Sequence, residues 1–216
     1  MRQLYGYFRS SAAFRVRIAL NWKGLDYAHI PVNLMPGVSA QKSAEYLAHN
    51  PQGRVPLYCE NDMSLSQSPA ILEYLEDVYP DHSLLPESAI DRAYVRQIAA
   101  LIGCDMHPLN NLSVLQFLKN DLNQGQEAVD LWYANWIKEG FTALEALLVK
   151  ANKAGEYCFG NQVSLAEVYL VPQVWNARRF KVDLSDYPLL IAISDRASKL
   201  QAFADAAPEN QPDAPK

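Results

Sequence analysis

Cysteine is scarce in this 216-residue chain: Cys59, Cys104 and Cys158 stand far apart and are odd in number. That count argues against a disulfide framework and for a reducing compartment. The four histidines are equally scattered, with neither HExxH nor CxxC spacing, so no dedicated metal site is expected. No apolar stretch approaches the length needed to cross a bilayer. The opening Met1 to Tyr7 runs straight into the polar Arg9-Ser10-Ser11, without the apolar core of a signal peptide. Runs of Lys and Arg are missing too, and the formal net charge is -5, so a phosphate backbone would be repelled overall. The expectation is a cytoplasmic globular protein whose partners include neither nucleic acid nor membrane. Small anionic substrates stay open, because one or two well-placed arginines can outweigh a diffuse negative surface.

What the chain does have is apolar residues, half of the total against one fifth charged, enough to bury a sizeable core. The first eighty residues alternate short apolar runs with helical patterns. Leu4–Phe8 reads as a strand, Ser11–Lys23 as a helix stopped by Gly24, and Tyr27–Val32 as a second strand. A helix is expected around Gln41–Ala48, a hairpin from Pro56–Cys59 and Ser64-Leu65 about Glu60-Asn61-Asp62, and a helix over Ser68–Val78. The order β-α-β-α-β-β-α fits a small mixed sheet with helices on its faces. Tyr79 to Pro86 breaks the periodicity and reads as a linker. Beyond it nearly everything is helical, with capping signals at Ser88 and at Ser164-Leu165-Ala166-Glu167. The tail from Pro208 has three prolines in nine residues and is expected to lie extended on the surface.

Four places could carry chemistry, and each has an ordinary structural reading beside the functional one. Arg9-Ser10-Ser11 falls at a strand-to-helix turn, where hydroxyls and helix amides suit a thiolate or phosphate; either serine could simply be a cap, which is the commoner case. Val55-Pro56 precedes a strand, where a cis bond would leave the Val55 backbone open to an extended, peptide-like ligand; an ordinary strand-start proline reads the same. Gln67-Ser68 opens a helix and could hold a carboxylate, or be a plain cap with Pro69 in the first turn. His107-Pro108-Leu109-Asn110-Asn111, where Pro108 is expected to kink a helix, pairs with Arg178-Arg179 later in the chain. The plain alternative there is a kinked core helix and two arginines on a solvated face.

Taken together these segments resemble the zeta class of glutathione transferases, which includes maleylacetoacetate and maleylpyruvate isomerases. The family's serine motif is matched by Ser10-Ser11-Ala12-Ala13-Phe14-Arg15-Val16-Arg17-Ile18-Ala19-Leu20. The likeness continues through Asn50-Pro51-Gln52-Gly53-Arg54-Val55-Pro56, Ser66-Gln67-Ser68-Pro69-Ala70-Ile71-Leu72-Glu73-Tyr74-Leu75 and His107 to Leu115. It resumes at Leu170 to Val174, Arg179 to Leu184 and Gln211-Pro212-Asp213, so it spans nearly the whole chain in register.

The resemblance implies a thioredoxin-like domain over residues 1–79, an all-helical domain over residues 87–216, a homodimer, and glutathione as cofactor. It assigns Ser11 to the glutathione sulfur, with Ser10 and Arg9 beside it at the catalytic turn. It gives Val55 and a cis Pro56 to the cysteinyl backbone, and Gln67 and Ser68 to the γ-glutamyl end. Gln41, His107, Asn110 and Asn111 line the cleft, and Arg9 and Arg179 clamp a dicarboxylate substrate from opposite domains. Arg15, Arg17 and the Ser164–Glu167 box are read as structural. Where the family has a cysteine after its two serines this chain has Ala12, so glutathione must supply the reacting sulfur. The implied reaction is cis–trans isomerisation of maleylacetoacetate, an intermediate of tyrosine breakdown, to fumarylacetoacetate. Maleylpyruvate is the close alternative, conjugation or dehalogenation of α-haloacids the second, and a non-catalytic glutathione-binding protein the third.

Overall fold

A computed structural model describes residues 1–215. The chain divides into two compact units, Met1–Ser83 together with the segment from Lys199 onward, and Leu84–Ser198.

The first unit is built on a four-stranded sheet in the order β2-β1-β3-β4, from β1 (Arg2–Gly6), β2 (Ala28–Pro31), β3 (Leu57–Glu60) and β4 (Met63–Ser66). β1 is parallel to β2, pairing Leu4 with His29, and antiparallel to β3, pairing Leu4 with Tyr58. β3 and β4 form the expected hairpin, with Asn61 at φ 52 in its turn. The parallel pair is joined through α1 (Ser11–Trp22), which is buried along most of its length because it packs against both α3 (Ser68–Val78) and α9 (Gln201–Ala206). The core is therefore apolar from both sides: Leu4, Phe14, Ile18, Leu57, Ile71 and Leu75 are all almost completely buried. Lys23 closes α1, and its Nζ lies 2.7 Å from Glu76 Oε1 while also donating to the Tyr79 carbonyl, 2.8 Å, so the charge is buried with partners rather than stranded. This is the small mixed sheet that the strand and helix order predicts, in the thioredoxin-like arrangement that the resemblance implies.

Two local expectations need correction in this unit. The helix expected over Gln41–Ala48 is two pieces, a 3-10 turn over Ala40–Lys42 and α2 (Ala44–His49). Ser43 separates them: its backbone is extended and its side chain accepts from Tyr46 N, 3.1 Å, which starts a new helix. The tail is not an extended surface strand. Pro208–Asn210 forms a 3-10 turn, Pro208 and Gln211 are buried, and Gln211 Nε2 donates to the carbonyls of Asp205, 2.8 Å, and Ala207, 2.9 Å. The tail thus belongs with the sheet unit rather than with the helical domain expected over residues 87–216, because α9 packs on α1.

The second unit is all helical: α4 (Ala89–Ala100), α5 (Leu112–Asn120), α6 (Gln126–Ala151), α7 (Leu165–Arg179) and α8 (Pro188–Ala197). α7 packs against α4 and α8 and buries eleven of its residues, from Leu165 to Ala177. The predicted caps are present at Ser88, which accepts from Asp91 N at 3.1 Å, and at Ser164. Pro108 does more than kink a helix. α4 widens into a π-helical turn over Leu101–Met106, the chain leaves the helix at His107, and Asn111 starts α5. A proline cannot donate an amide to the preceding turn, so the helix ends there and restarts at the next capping residue. Gly140 on α6 makes room for the wider turn, since a Cβ there would overlap Met106 Sδ. Among the described residues no helix is long and apolar enough to cross a membrane.

Candidate active site

In the sheet unit the Arg9-Ser10-Ser11 turn links β1 to α1. Ser10 is the N-cap: its Oγ accepts from Ala13 N, 3.2 Å, and its carbonyl from Phe14 N, 2.8 Å. The capping reading is therefore correct for Ser10. Ser11 is the first residue of α1 and is buried, at the end where helix N–H donors and the positive pole of the helix dipole are concentrated. Arg9 is steered by its neighbours. Nη2 donates to Tyr7 Oη, 3.1 Å, and the guanidinium lies over the rings of Phe8 and Tyr7, 5.2 and 5.5 Å from their centroids.

The Val55–Pro56 peptide is cis, as the resemblance implies. The approach to it is held by its backbone. The Arg54 carbonyl accepts from both Tyr46 Oη and Asn50 Nδ2, each at 2.7 Å, which fixes the chain one residue before Val55. Gly53 turns at φ 61, and a Cβ on it would meet the Gln41 carbonyl at 3.0 Å and Lys42 Nζ at 2.9 Å. A larger residue would push apart the segment carrying Gln41 and the segment carrying Val55. Gln41 Oε1 is buried and has no hydrogen-bond partner among the described residues.

Gln67 has φ 72, the left-handed side of the map where a side chain is strained. It is the N-cap of α3 but its side chain makes no cap bond, so this helix end is not plainly capped. Gln67 Nε2 instead donates to Gln52 Oε1, 2.7 Å, while Ser68 is buried and its Oγ accepts from Arg15 Nη1 at 3.4 Å. A strained residue at an unclosed helix N-terminus is an arrangement suited to a carboxylate. Gln52, Tyr46 and Asn50 escaped the reading from sequence as site residues. The Asn-Pro-x-Gly turn signal was there, but the reach of the two side chains to one carbonyl was not.

In the helical unit two of the candidates, Asn110 and Arg179, are linked through Tyr133 and Phe180. His107 follows the π-helical turn, with its amide donating to the Ile102 carbonyl, 2.9 Å. Asn110 Nδ2 donates to the Tyr133 carbonyl, 3.2 Å, and Asn110 Oδ1 is buried with no hydrogen-bond partner among the described residues. Tyr133 stacks on Phe180, ring centroids 3.7 Å apart, and Arg179 lies over Phe180 at 4.3 Å. Burial pushes the Tyr133 hydroxyl up, while the Arg179 charge pulls it back. Asn111 caps α5, its Oδ1 accepting from Ser113 N and Oγ, both 3.0 Å, which commits that atom locally. Arg179 is exposed, whereas Arg178 pairs with Asp195 at 2.7 Å on the surface, the solvated role considered for both arginines.

Comparison with known proteins agrees with this arrangement. Residues 2–77 match the family model "Glutathione S-transferase, N-terminal domain". A probable maleylacetoacetate isomerase from Vibrio cholerae is 49% identical over 211 residues, 98% of this chain and 97% of its own length. The holo structure of a bacterial maleyl pyruvate isomerase, described as a zeta-class glutathione-s-transferase, superposes with a TM-score of 0.96 at 45% identity, covering 99% of this chain and all of the other. A maleylacetoacetate isomerase from Methylobacterium extorquens AM1 with bound malonate and glutathione gives 0.95 at 38% identity, covering 99% and 100%. The chain belongs to the glutathione transferase family. Within it, its relatives are the zeta-class enzymes that include maleylacetoacetate and maleylpyruvate isomerases.

Proposed function

We propose that this protein is a glutathione-dependent cis–trans isomerase that converts maleylacetoacetate to fumarylacetoacetate. The observation that carries the reading is the buried Ser11 at the first turn of α1, in a chain 49% identical to a probable maleylacetoacetate isomerase over almost its full length. Glutathione, when bound, supplies a thiol that adds reversibly to the cis double bond of a maleyl compound and so permits rotation about it.

The residues fit that tripeptide. The N-terminus of α3, with Gln67 and Ser68, takes the γ-glutamyl carboxylate by backbone and hydroxyl donation. Val55, placed by the tethered Arg54 carbonyl beside cis Pro56, offers backbone to the cysteinyl residue. The unpartnered Gln41 Oε1 offers an acceptor to one of the ligand's N–H groups. Ser11 Oγ–H donates to the sulfur and Ser10 holds the turn as its cap. An ordinary thiol titrates near about 8.5, and each unit of lowering needs about 1.4 kcal/mol of preference for the thiolate. A hydroxyl donor to a charged sulfur, worth about 1.5–3 kcal/mol, together with a helix N-terminus reaches that scale. Arg9 is assigned to a carboxylate or enolate of the substrate. In the helical unit Arg179, with His107, Asn110 and the backbone around Asn111, is assigned to the remainder. The three free cysteines, Cys59, Cys104 and Cys158, take no part in this chemistry and accord with a cytoplasmic protein. The chain is proposed to work as a homodimer.

Maleylpyruvate carries the same reacting group, and the 0.96 superposition on a maleylpyruvate isomerase favours it as a second substrate. The test is an absorbance assay on each compound, with and without glutathione, for wild type and Ser11→Ala. Glutathione-dependent turnover is expected for both, faster on maleylacetoacetate. Ser11→Ala is expected to lose about ten- to hundredfold in kcat with little change in glutathione affinity. No turnover despite glutathione binding would leave only a binding protein.

A further inference from the structure

Phe8, the residue just before Arg9-Ser10-Ser11, has both of its backbone polar groups held by charged side chains. Its N–H donates to Asp213 Oδ2, 3.0 Å, and its carbonyl accepts from Arg17 Nη2, 3.0 Å. Neither partner is a casual neighbour. Arg17 is wholly buried on α1, and its Nε is spent on the Ala206 carbonyl, 2.9 Å, just before the tail. Asp213 is delivered by that tail, which Gln211 ties back to the carbonyls of Asp205 and Ala207. The second carboxylate oxygen lies 3.1 Å from His29 Nε2 on β2 but makes no aligned hydrogen bond with it. A turn residue can ordinarily satisfy its backbone with water. Here a buried guanidinium and a carboxylate from 205 residues away are committed to the backbone of a single residue.

We propose that Asp213 is a positioning residue for the serine turn. By fixing the Phe8 amide it sets where Ser11 begins α1 and where Arg9, laid over the Phe8 ring, presents its guanidinium. The inference rests on the reading of Ser11 and Arg9 given above. The chemistry depends on placement at this level, since a misplacement of about 1 Å can cost about a hundredfold in rate.

The test compares wild type with Asp213→Ala, Asp213→Asn and Asp213→Glu. Asn keeps a neutral acceptor at the same reach, whereas Glu keeps the charge but moves the acceptor by one methylene. Exchange of the amides of residues 8–11, kcat and KM with maleylacetoacetate, and glutathione affinity are measured on each variant that circular dichroism shows to be folded. Asp213→Ala is expected to expose the Phe8 amide to exchange and to lower kcat about ten- to hundredfold. Glutathione affinity is expected to change by less than about threefold, because the contacts at residues 55, 67 and 68 are untouched. Asp213→Asn is expected to retain most of the rate and Asp213→Glu to lose it. Unchanged Phe8 protection in Asp213→Ala overturns the proposal, as does wild-type kcat with fast exchange, or a rate that follows the charge in Glu rather than the acceptor in Asn. If wild type itself shows no isomerase activity, the functional reading fails, and amide exchange alone then decides the clamp.

Discussion

Arg15 Nη1 on α1 donates to Ser68 Oγ at the start of α3 across 3.4 Å, and both side chains are buried. The helix that begins at Ser11 and the helix that begins at Ser68 are thereby linked directly beneath the proposed glutathione surface. This explains why Arg15 stands inside a motif made, apart from Arg17, of small and apolar residues: the contact needs a donor at the end of a long stem. Arg15→Met should keep the apolar stem and lose the link. Glutathione affinity, measured by calorimetry, is expected to fall about five- to twentyfold, because the two ends of the ligand would no longer be held in one fixed spacing. Unchanged affinity in a folded variant would make Arg15 a core residue only.

The Ser164–Glu167 box is expected to matter for stability alone. Glu167 is fully buried, and its carboxylate accepts from Cys158 N, 2.7 Å, Ser164 N, 2.7 Å, and Ser164 Oγ, 2.9 Å. Removing it strands two buried amides. Glu167→Ala should therefore cost about 2–5 kcal/mol in urea unfolding, and Ser164→Ala about 1 kcal/mol. Turnover per folded molecule should be preserved in Ser164→Ala. A selective loss of kcat there would give the box a catalytic link.

If Arg9 and Arg179 hold the substrate as proposed, their replacement should separate substrate recognition from glutathione binding. Neither side chain is itself assigned to the tripeptide, although Arg9 shares its turn with Ser11, and Arg9 is half-buried while Arg179 is exposed. Replacing either by Met should raise KM for maleyl substrates about five- to thirtyfold, the smaller effect belonging to the more hydrated Arg179. Glutathione affinity, and conjugation of an uncharged haloarene, should hardly change. Two variants with wild-type KM would return both arginines to the solvated surface.

The particular failures show what a sequence can carry. α3 was legible to the residue, Ser68–Val78, since an apolar stripe between a proline at its first turn and a second proline at Pro80 is local information. The caps at Ser88 and Ser164 were legible for the same reason. The tail was not. Its prolines suggest an extended strand, but its course is set by Asp213 and Gln211 finding partners on the Phe8 amide and on α9. At the candidate site, residue types marked Ser10-Ser11, Val55-Pro56 and Gln67-Ser68 as places that could hold a ligand, and the resemblance gave Ser11, Val55, Gln67 and Ser68 their expected roles. What sequence could not show was the support beneath them: the Arg54 carbonyl held by Tyr46 and Asn50, and the φ of 72 at Gln67. Those depend on long-range approach and backbone geometry, which leave no periodic trace.

His29 makes the stability of the sheet unit depend on pH. Its imidazole is held below its ordinary 6.5, first by burial, with Arg17 pushing the same way and Asp213 opposing. The unfolded chain therefore takes up a proton near pH 6.5 that the folded chain resists. Protons then favour the unfolded state, so the contribution of neutral His29 is fully present above pH 6.5 and declines as the pH falls through and below that value. Histidine is the side chain that ordinarily titrates in this window, before the carboxylates begin to protonate. Urea midpoints taken between about pH 8 and about pH 5 should fall with acidification in wild type. They should fall less in His29→Gln, which packs a polar group in the same place and cannot charge. Because Asp213 stands 3.1 Å from His29, the acid-destabilised state should also lose protection at the Phe8 amide first. Parallel midpoints for wild type and His29→Gln over the whole range would show that the buried imidazole does not set the acid limit of this fold.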